Sequence, residues 1–146
     1  MRIALGSDHG GFELKERIRR LLDGMGYSVE DVGCHSTDPV DYPEPGRRVA
    51  ELVASGECER GILVCGTGIG MSIVANRKPG IRAALCHEPY TARLSREHND
   101  ANVLCLGGRV IGPALAEDMV RVWLATPFCR GRHARRTAMM DSQDRG

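Results

Sequence analysis

Four consecutive apolar residues, Ile62-Leu63-Val64-Cys65, run straight into Gly66-Thr67-Gly68-Ile69-Gly70 and then into a helical pattern, Met71 to Asn76. A strand with one wet face alternates apolar and polar side chains. A strand apolar at every position needs cover on both faces, as in the middle of a parallel sheet. Parallel neighbours need crossover connections, and the rest of the chain supplies them. Arg2 to Gly6 reads as a first strand. Leu14, Ile18, Leu21, Leu22 and Met25 follow at helical spacing, with Gly24 or Gly26 to end that helix. Tyr27 to Val32 reads as a second strand, and Cys34 to Gly46, with its three prolines, as a loop. Val49, Leu52 and Val53 mark a short helix. Ile81 to Cys86 and Val103 to Leu106 read as a fourth and fifth strand around a helix over Tyr90 to Glu97. Pro113 opens a longer helix through Leu124, and a basic helix or arm follows Thr126. This alternation predicts one α/β domain over residues 1–146, built on a five-stranded parallel sheet.

Composition bounds the function. A chain of 146 residues, 42% hydrophobic and 27% charged, has the balance of an ordinary globular domain, and its 18 glycines point to tight loops. No apolar run reaches the ~18 residues of a membrane span, and the chain enters a strand at once, so the expectation is a cytoplasmic protein without a signal peptide. A net charge of +1 argues against nucleic-acid binding driven by bulk charge. Of the 20 basic residues 18 are Arg, a bias that codon usage explains and that also suits phosphate, whose oxygens match the guanidinium fork. The six cysteines are scattered, with neither C-x-x-C pairs nor metal spacing; reduced thiols and no zinc site are the expectation.

Open parallel sheets bind ligands beyond the carboxyl ends of their strands. That rule selects Ser7-Asp8-His9-Gly10-Gly11, Cys65 to Gly70, Cys86-His87-Glu88 and Gly107-Gly108-Arg109. The glycine loop lacks the third glycine of a dinucleotide fingerprint, since Met71 stands there, and it has no Lys-Ser/Thr pair for a nucleoside triphosphate. Nor is it a C-x5-R phosphatase loop, because Met71 occupies the Arg position. Cys129 to Arg135 does fit that spacing, but no apolar strand precedes it. What remains is a strand-loop-helix turn that bares backbone amides, a nest for an oxyanion, with Cys65 at its lip. Cys65 reads equally as one more small core residue. Asp8 and His9 offer an acid/base pair after the first strand. His98-Asn99-Asp100 lies between the fourth helix and fifth strand, and a lone His is more often structural. Arg132 and Arg136, four apart, share a helical face and could clamp one phosphate, or form a solvated basic end.

Gly6-Ser7-Asp8-His9-Gly10-Gly11, Asp41-Tyr42-Pro43, Ile62 to Asn76, Glu88-Pro89-Tyr90, Ser95 to Asn102 and Gly131-Arg132-His133 together resemble the ribose/galactose phosphate isomerase family, in its B-type ribose-5-phosphate isomerase branch. The likeness runs over nearly the whole chain. It implies a Rossmann-like three-layer sandwich, a metal-free aldose–ketose isomerase without a cofactor, a phosphorylated-sugar substrate, and a homodimer or tetramer with sites between subunits. By resemblance Cys65 is the base that moves a proton between C1 and C2. Some members use a Glu beyond the loop instead, but this chain has Met71-Ser72 there. Gly66, Thr67, Gly68, Ile69 and Gly70 resemble the oxyanion loop, with Thr67 assisting, and Tyr42 belongs to the substrate-binding set. His98, with Asp8 nearby, resembles the ring-opening pair, and Asn99 a sugar-hydroxyl contact. His9, Arg109, Arg132 and Arg136 resemble the phosphate set. Isomerases of allose and galactose 6-phosphates share the fold, and a phosphate- or nucleotide-binding module without catalysis is the alternative of another class.

Overall fold

The computed structural model describes residues 1–144. Along the chain run β1 (Arg2–Ser7), a 3-10 turn (His9–Gly11), α1 (Phe12–Gly24), β2 (Ser28–Asp31), α2 (Pro43–Ala54) and β3 (Arg60–Cys65). They are followed by α3 (Ile69–Asn76), β4 (Ala83–Leu85), α4 (Pro89–Asn99), β5 (Val103–Gly107), α5 (Pro113–Ala125) and α6 (Arg132–Gln143). All strand pairs are parallel, in the order β2-β1-β3-β5-β4. Successive strand residues point to opposite faces, and both faces are apolar. Ile3, Leu5, Ile62, Val64, Leu104 and Leu106 pack against α1, α4 and α5 through Leu14, Ile18, Ala92, Met119 and Trp123. Ala4, Leu63, Cys65, Val103 and Cys105 face α2 and α3 through Val49, Leu52, Met71 and Ala75. The result is an α/β domain on a parallel sheet, as the alternation implies, in the three-layer sandwich that the family resemblance implies. Among the described residues no helix is long and apolar enough to cross a membrane.

The chain leaves β1 toward β2 on one side and later returns to β3 on the other, so strand order reverses between β1 and β3. Asp8 and Cys65 end those two strands. The turn after β5 is stitched to the same point: Gly108 N–H donates to the Cys65 carbonyl at 2.8 Å and Arg109 N–H to the Gly66 carbonyl at 2.9 Å.

Two charged groups are spent on the scaffold. Lys15 Nζ is fully buried and donates to both oxygens of Asp31, at 2.9 and 2.8 Å. Asp31 Oδ1 also accepts the Gly33 N–H at 2.9 Å, which ties the start of the β2–α2 connection to α1. Arg60 caps the end of α5, donating to the carbonyls of Trp123 at 2.9 Å and Leu124 at 3.2 Å.

The expected boundaries shift where local chemistry decides them. α2 begins at Pro43, inside the stretch expected to be loop. Proline suits a first helical turn, where the missing N–H has no partner to lose. α3 starts at Ile69, so Ile69 and Gly70 belong to a helix rather than to the loop. β4 is only three residues long. α4 runs through His98 and Asn99, which sit in its last turn and not between helix and strand.

Gly11 marks the tightest crossing: a Cβ built there would lie 2.5 Å from the Val64 carbonyl oxygen, a backbone atom that cannot swing away. Gly11→Ala is therefore expected to lower stability by about 1–3 kcal/mol through overpacking, read as a lower urea midpoint at unchanged slope. An unchanged midpoint would show that β3 can yield at Val64.

Candidate active site

At the carboxyl end of β3, Cys65 Sγ is 5% exposed at the residue level and accepts the Gly68 N–H at 3.1 Å. Gly68 makes this possible. Its φ is +80°, and a Cβ there would press to 2.6 Å from Leu85 Cδ1 and 2.9 Å from the Leu106 carbonyl carbon. The turn then enters α3, with Thr67 Oγ1 accepting the Ile69 N–H at 3.2 Å. The Gly68 amide thus meets a thiol just ahead of the α3 N-terminus, a place that favours negative charge.

Asp8 lies across the switch point, on the adjacent strand, its N–H on the Val64 carbonyl at 3.3 Å. Its Oδ1 accepts the Gly11 N–H at 3.0 Å, so the carboxylate holds the 3-10 turn that carries His9. His9 Nδ1 accepts the Val40 N–H at 3.1 Å, which leaves Nε2 as the proton-bearing, donating nitrogen. The Arg109 guanidinium covers Gly10 and Gly66, within 3.5 Å of where a Cβ on either would stand. Tyr42 packs its ring over Gly70, 2.7 Å from the corresponding Cβ position. An open cleft of about 580 Å³ is lined by Asp8, His9, Asp41, Tyr42 and Arg47. Asp8, His9, Tyr42, Cys65, Thr67, the glycine loop and Arg109 therefore form one constellation.

The remaining candidates form a second one elsewhere. α4 starts beyond the carboxyl end of β4 and runs back, so its last residues, His98 and Asn99, lie at the amino end of the sheet. The Arg82 side chain, just before β4, donates to the Asn99 carbonyl at 2.9 Å. β5 pairs Val103 with Gly61 and Gly107 with Cys65, so about 13 Å of strand separates the two ends at ~3.3 Å per residue. The expectation that Asp8 lies near His98 is not met within one chain.

α6 carries Arg132, His133 and Arg136 and packs against α4. The His98 and His133 rings stack, centroids 4.3 Å apart and planes at 11°. His133 is held below the usual histidine range by desolvation and by the positive charges of His98, Arg132 and Arg136. Sequence reading passed over His133 as a site residue, although it adjoins Arg132 in a quoted motif. Among the described residues, none of Arg109, Arg132 and Arg136 has a carboxylate within salt-bridge distance. Glu88 serves a helix rather than a ligand: its oxygens accept the Tyr90 and Thr91 N–H groups at 2.7 and 2.9 Å and start α4, and the hydrogen bonds led by Thr91 keep its carboxyl below the usual range. Among the described residues no three of His, Cys, Asp and Glu converge so as to hold a metal ion.

A parallel α/β sandwich with a thiol, an amide nest and basic groups at its switch point is built for small anionic ligands, an arrangement typical of α/β enzymes. Residues 3–140 match the family model described as Ribose/Galactose Isomerase. The chain is 50% identical over 135 residues to ribose-5-phosphate isomerase B of Escherichia coli, covering 92% of this chain and 91% of that one. It superposes on ribose-5-phosphate isomerase B of Clostridium thermocellum with a TM-score of 0.98 at 54% identity, over 99% and 98% of the two chains. The enzyme of Mycoplasma genitalium, solved with bound ribulose-5-phosphate, gives a TM-score of 0.95 at 36% identity over 99% and 96%. The chain belongs to the ribose/galactose isomerase family.

Gly68→Ala should strain the left-handed turn by about 1–2 kcal/mol and pull the amide off Cys65. Loss of the donor that holds the thiol should lower kcat, measured at saturating sugar phosphate. A variant that keeps its kcat would show that the Gly68 amide does not serve the reacting centre.

Proposed function

We propose that the chain interconverts ribose 5-phosphate and ribulose 5-phosphate, with Cys65 as the base. Membership of the family makes it an aldose–ketose isomerase, and the names of its E. coli and C. thermocellum relatives support the pentose phosphate as substrate. The observation that carries the mechanism is the Cys65 thiol held by the Gly68 amide at the carboxyl end of β3.

The substrate rests mostly as a ring, so the first step passes a proton from the anomeric hydroxyl and another to the ring oxygen. His98 suits this exchange. As a thiolate, Cys65 then takes the C2 proton. The C–H electron pair becomes the C1=C2 bond, and the O1 carbonyl pair becomes an oxyanion among the Gly66–Gly70 amides, with Thr67 beside it. Cys65 returns its proton to C1, a proton passes from O2 to O1, and O2 becomes the ketone. His9, Arg109, Arg132 and Arg136 supply donors for the phosphate, and Asn99 for a hydroxyl.

The two half-sites at opposite ends of one chain support a two-fold homodimer in which the α4–α6 end of one copy covers the glycine loop of the other. Exposed apolar residues at both ends suit burial against a second copy: Ile69, Ile73 and Val110 near the loop, Met139 and Met140 on α6.

Purified chain given ribose 5-phosphate should form ribulose 5-phosphate, with turnover unaffected by chelator and with allose and galactose 6-phosphates converted more slowly. Cys65→Ala should cut kcat by ~10²–10⁴ and leave KM near its starting value, because a base acts in the transition state. Saturable binding without turnover would point instead to a binding module. Near-normal kcat in Cys65→Ala would reassign the base, and activity restored only by a divalent ion would overturn the metal-free chemistry.

The shared site has its own test. Cys65→Ala and His98→Asn chains, each inactive alone, are refolded together. Random pairing makes half the dimers hybrid, and each hybrid holds one site with neither change, so about a quarter of all sites should recover. Hybrid dimers without recovered activity would place both residues in one chain's site.

A further inference from the structure

We propose that Asp100 is a positioning residue for the Arg132 and Arg136 pair, acting through Arg82 and Arg96 as a mount that holds the stretch from the end of α5 to the last turn of α6 against α4 at two points. The proposal rests on the reading of that pair as phosphate ligands. Asp100 follows the last turn of α4 in the left-handed region, φ 47° and ψ 45°, a conformation that Asn and Asp tolerate better than most residues. Its two carboxylate oxygens engage two different arginines. Oδ1 accepts from Arg96 Nη1 at 2.8 Å, and Oδ2 from Arg82 Nη2 at 3.4 Å.

Each arginine reaches onward to a different end of the same segment. Arg96, only 6% exposed, donates through Nε to the Thr126 carbonyl at 3.2 Å, where the chain leaves α5 on its way to α6. It also holds the Ala101 carbonyl at 2.7 Å. Arg82 grips the end of α4 through the Asn99 and Asp100 carbonyls, at 2.9 and 3.2 Å. Its Nη1 reaches Asp141, in the last turn of α6, at 2.8 Å. The Cys129 N–H adds a bond to the Glu97 carbonyl at 3.0 Å.

Arg132, His133 and Arg136 lie between these two anchor points and touch neither arginine in the hydrogen-bond pattern. A segment held at one end pivots; the stretch from Thr126 to Asp141, held at both, carries α6 in one orientation. Asp100 is the single group that both arginines share, so the alignment of entry and exit passes through its carboxylate. The side-chain network supplies no reacting atom, and Arg82 also grips the carbonyl of Asn99, so the network's effect on phosphate affinity is separated from any effect on the α4 end by removing the arginine pair.

The test measures KM for ribose 5-phosphate and the inhibition constant of inorganic phosphate in Asp100→Asn and Asp141→Ala. Each change is made both in the wild-type chain and in an Arg132→Ala/Arg136→Ala chain. Asn keeps the left-handed backbone and removes only the charge, while Asp141 is a surface residue whose loss leaves the α4 end intact. In the wild-type chain Asp100→Asn should raise both constants about tenfold, a coupling of the size seen within charged networks, with kcat within about twofold. Asp141→Ala should move both in the same direction. In the double-arginine chain the effect of each change on the inhibition constant of phosphate should vanish, because the pair to be positioned for phosphate is gone. Unchanged constants in both variants, or the same fold-change in both backgrounds, would overturn the proposal. If Asp100→Asn does not fold, Asp141→Ala decides by the same criteria. Unchanged KM in the double-arginine chain alone would mean that the phosphate reading has failed and this proposal with it, a result visible before Asp100 is altered.

Discussion

Three backbone hydrogen bonds at the switch point hold the candidate active site together. Asp8 donates to Val64, Gly108 to Cys65 and Arg109 to Gly66, so the ends of β1, β3 and β5 are clamped before any side chain takes part. Parallel pairing makes this clamp possible because it brings the carboxyl ends of neighbouring strands to one edge. The clamp tolerates no bulk: Gly11 and Gly68 lie where a single methyl group would strike backbone. The reactive thiol and its amides thus inherit the rigidity of the sheet, a better foundation for a reacting centre than a free loop.

Much of this was legible in the residues. The unbroken apolar run of β3 announced a strand covered on both faces, and the glycines after it announced backbone approaching backbone. Helix and strand alternation followed from spacing alone. What local pattern could not convey was order and extent. Pro43 and Pro45 look like loop formers until their place in a first helical turn removes the objection to them. β4 pairs only with β5, at the edge of the sheet, so it is shorter than its apolar residues suggest. His98 and Asn99 were recognisable as chemistry, but their distance from Cys65 depends on the direction in which α4 returns across the sheet. The stacking of His133 on His98 needs α6 folded back onto α4, a contact that no spacing rule within either segment encodes.

The division of the candidates into two groups explains their differing characters. The switch-point group is assembled mainly from main-chain donors on fixed strands, with Cys65 nearly sealed. The α4–α6 group sets the exposed arginines Arg132 and Arg136 beside Asn99 and the half-buried, stacked pair His98 and His133, and its geometry depends on side-chain networks. Charge recognition tolerates such a mount, since attraction falls off gradually with distance, whereas proton transfer at carbon needs reacting atoms within hydrogen-bonding reach. The molecule assigns each kind of work to the part of the scaffold with matching stiffness.

The burial of Lys15 against Asp31 also bears on how the protein can be handled. Only two lysines exist in the chain, and with one sealed in the core, Lys78 is the sole lysine whose amine meets solvent. Amine-directed reagents therefore find one lysine side chain within reach, Lys78 beyond α3. A resin or dye coupled through Lys78 attaches in a groove that Lys78 shares with Arg47 and Arg77, so tethered copies present few orientations instead of many.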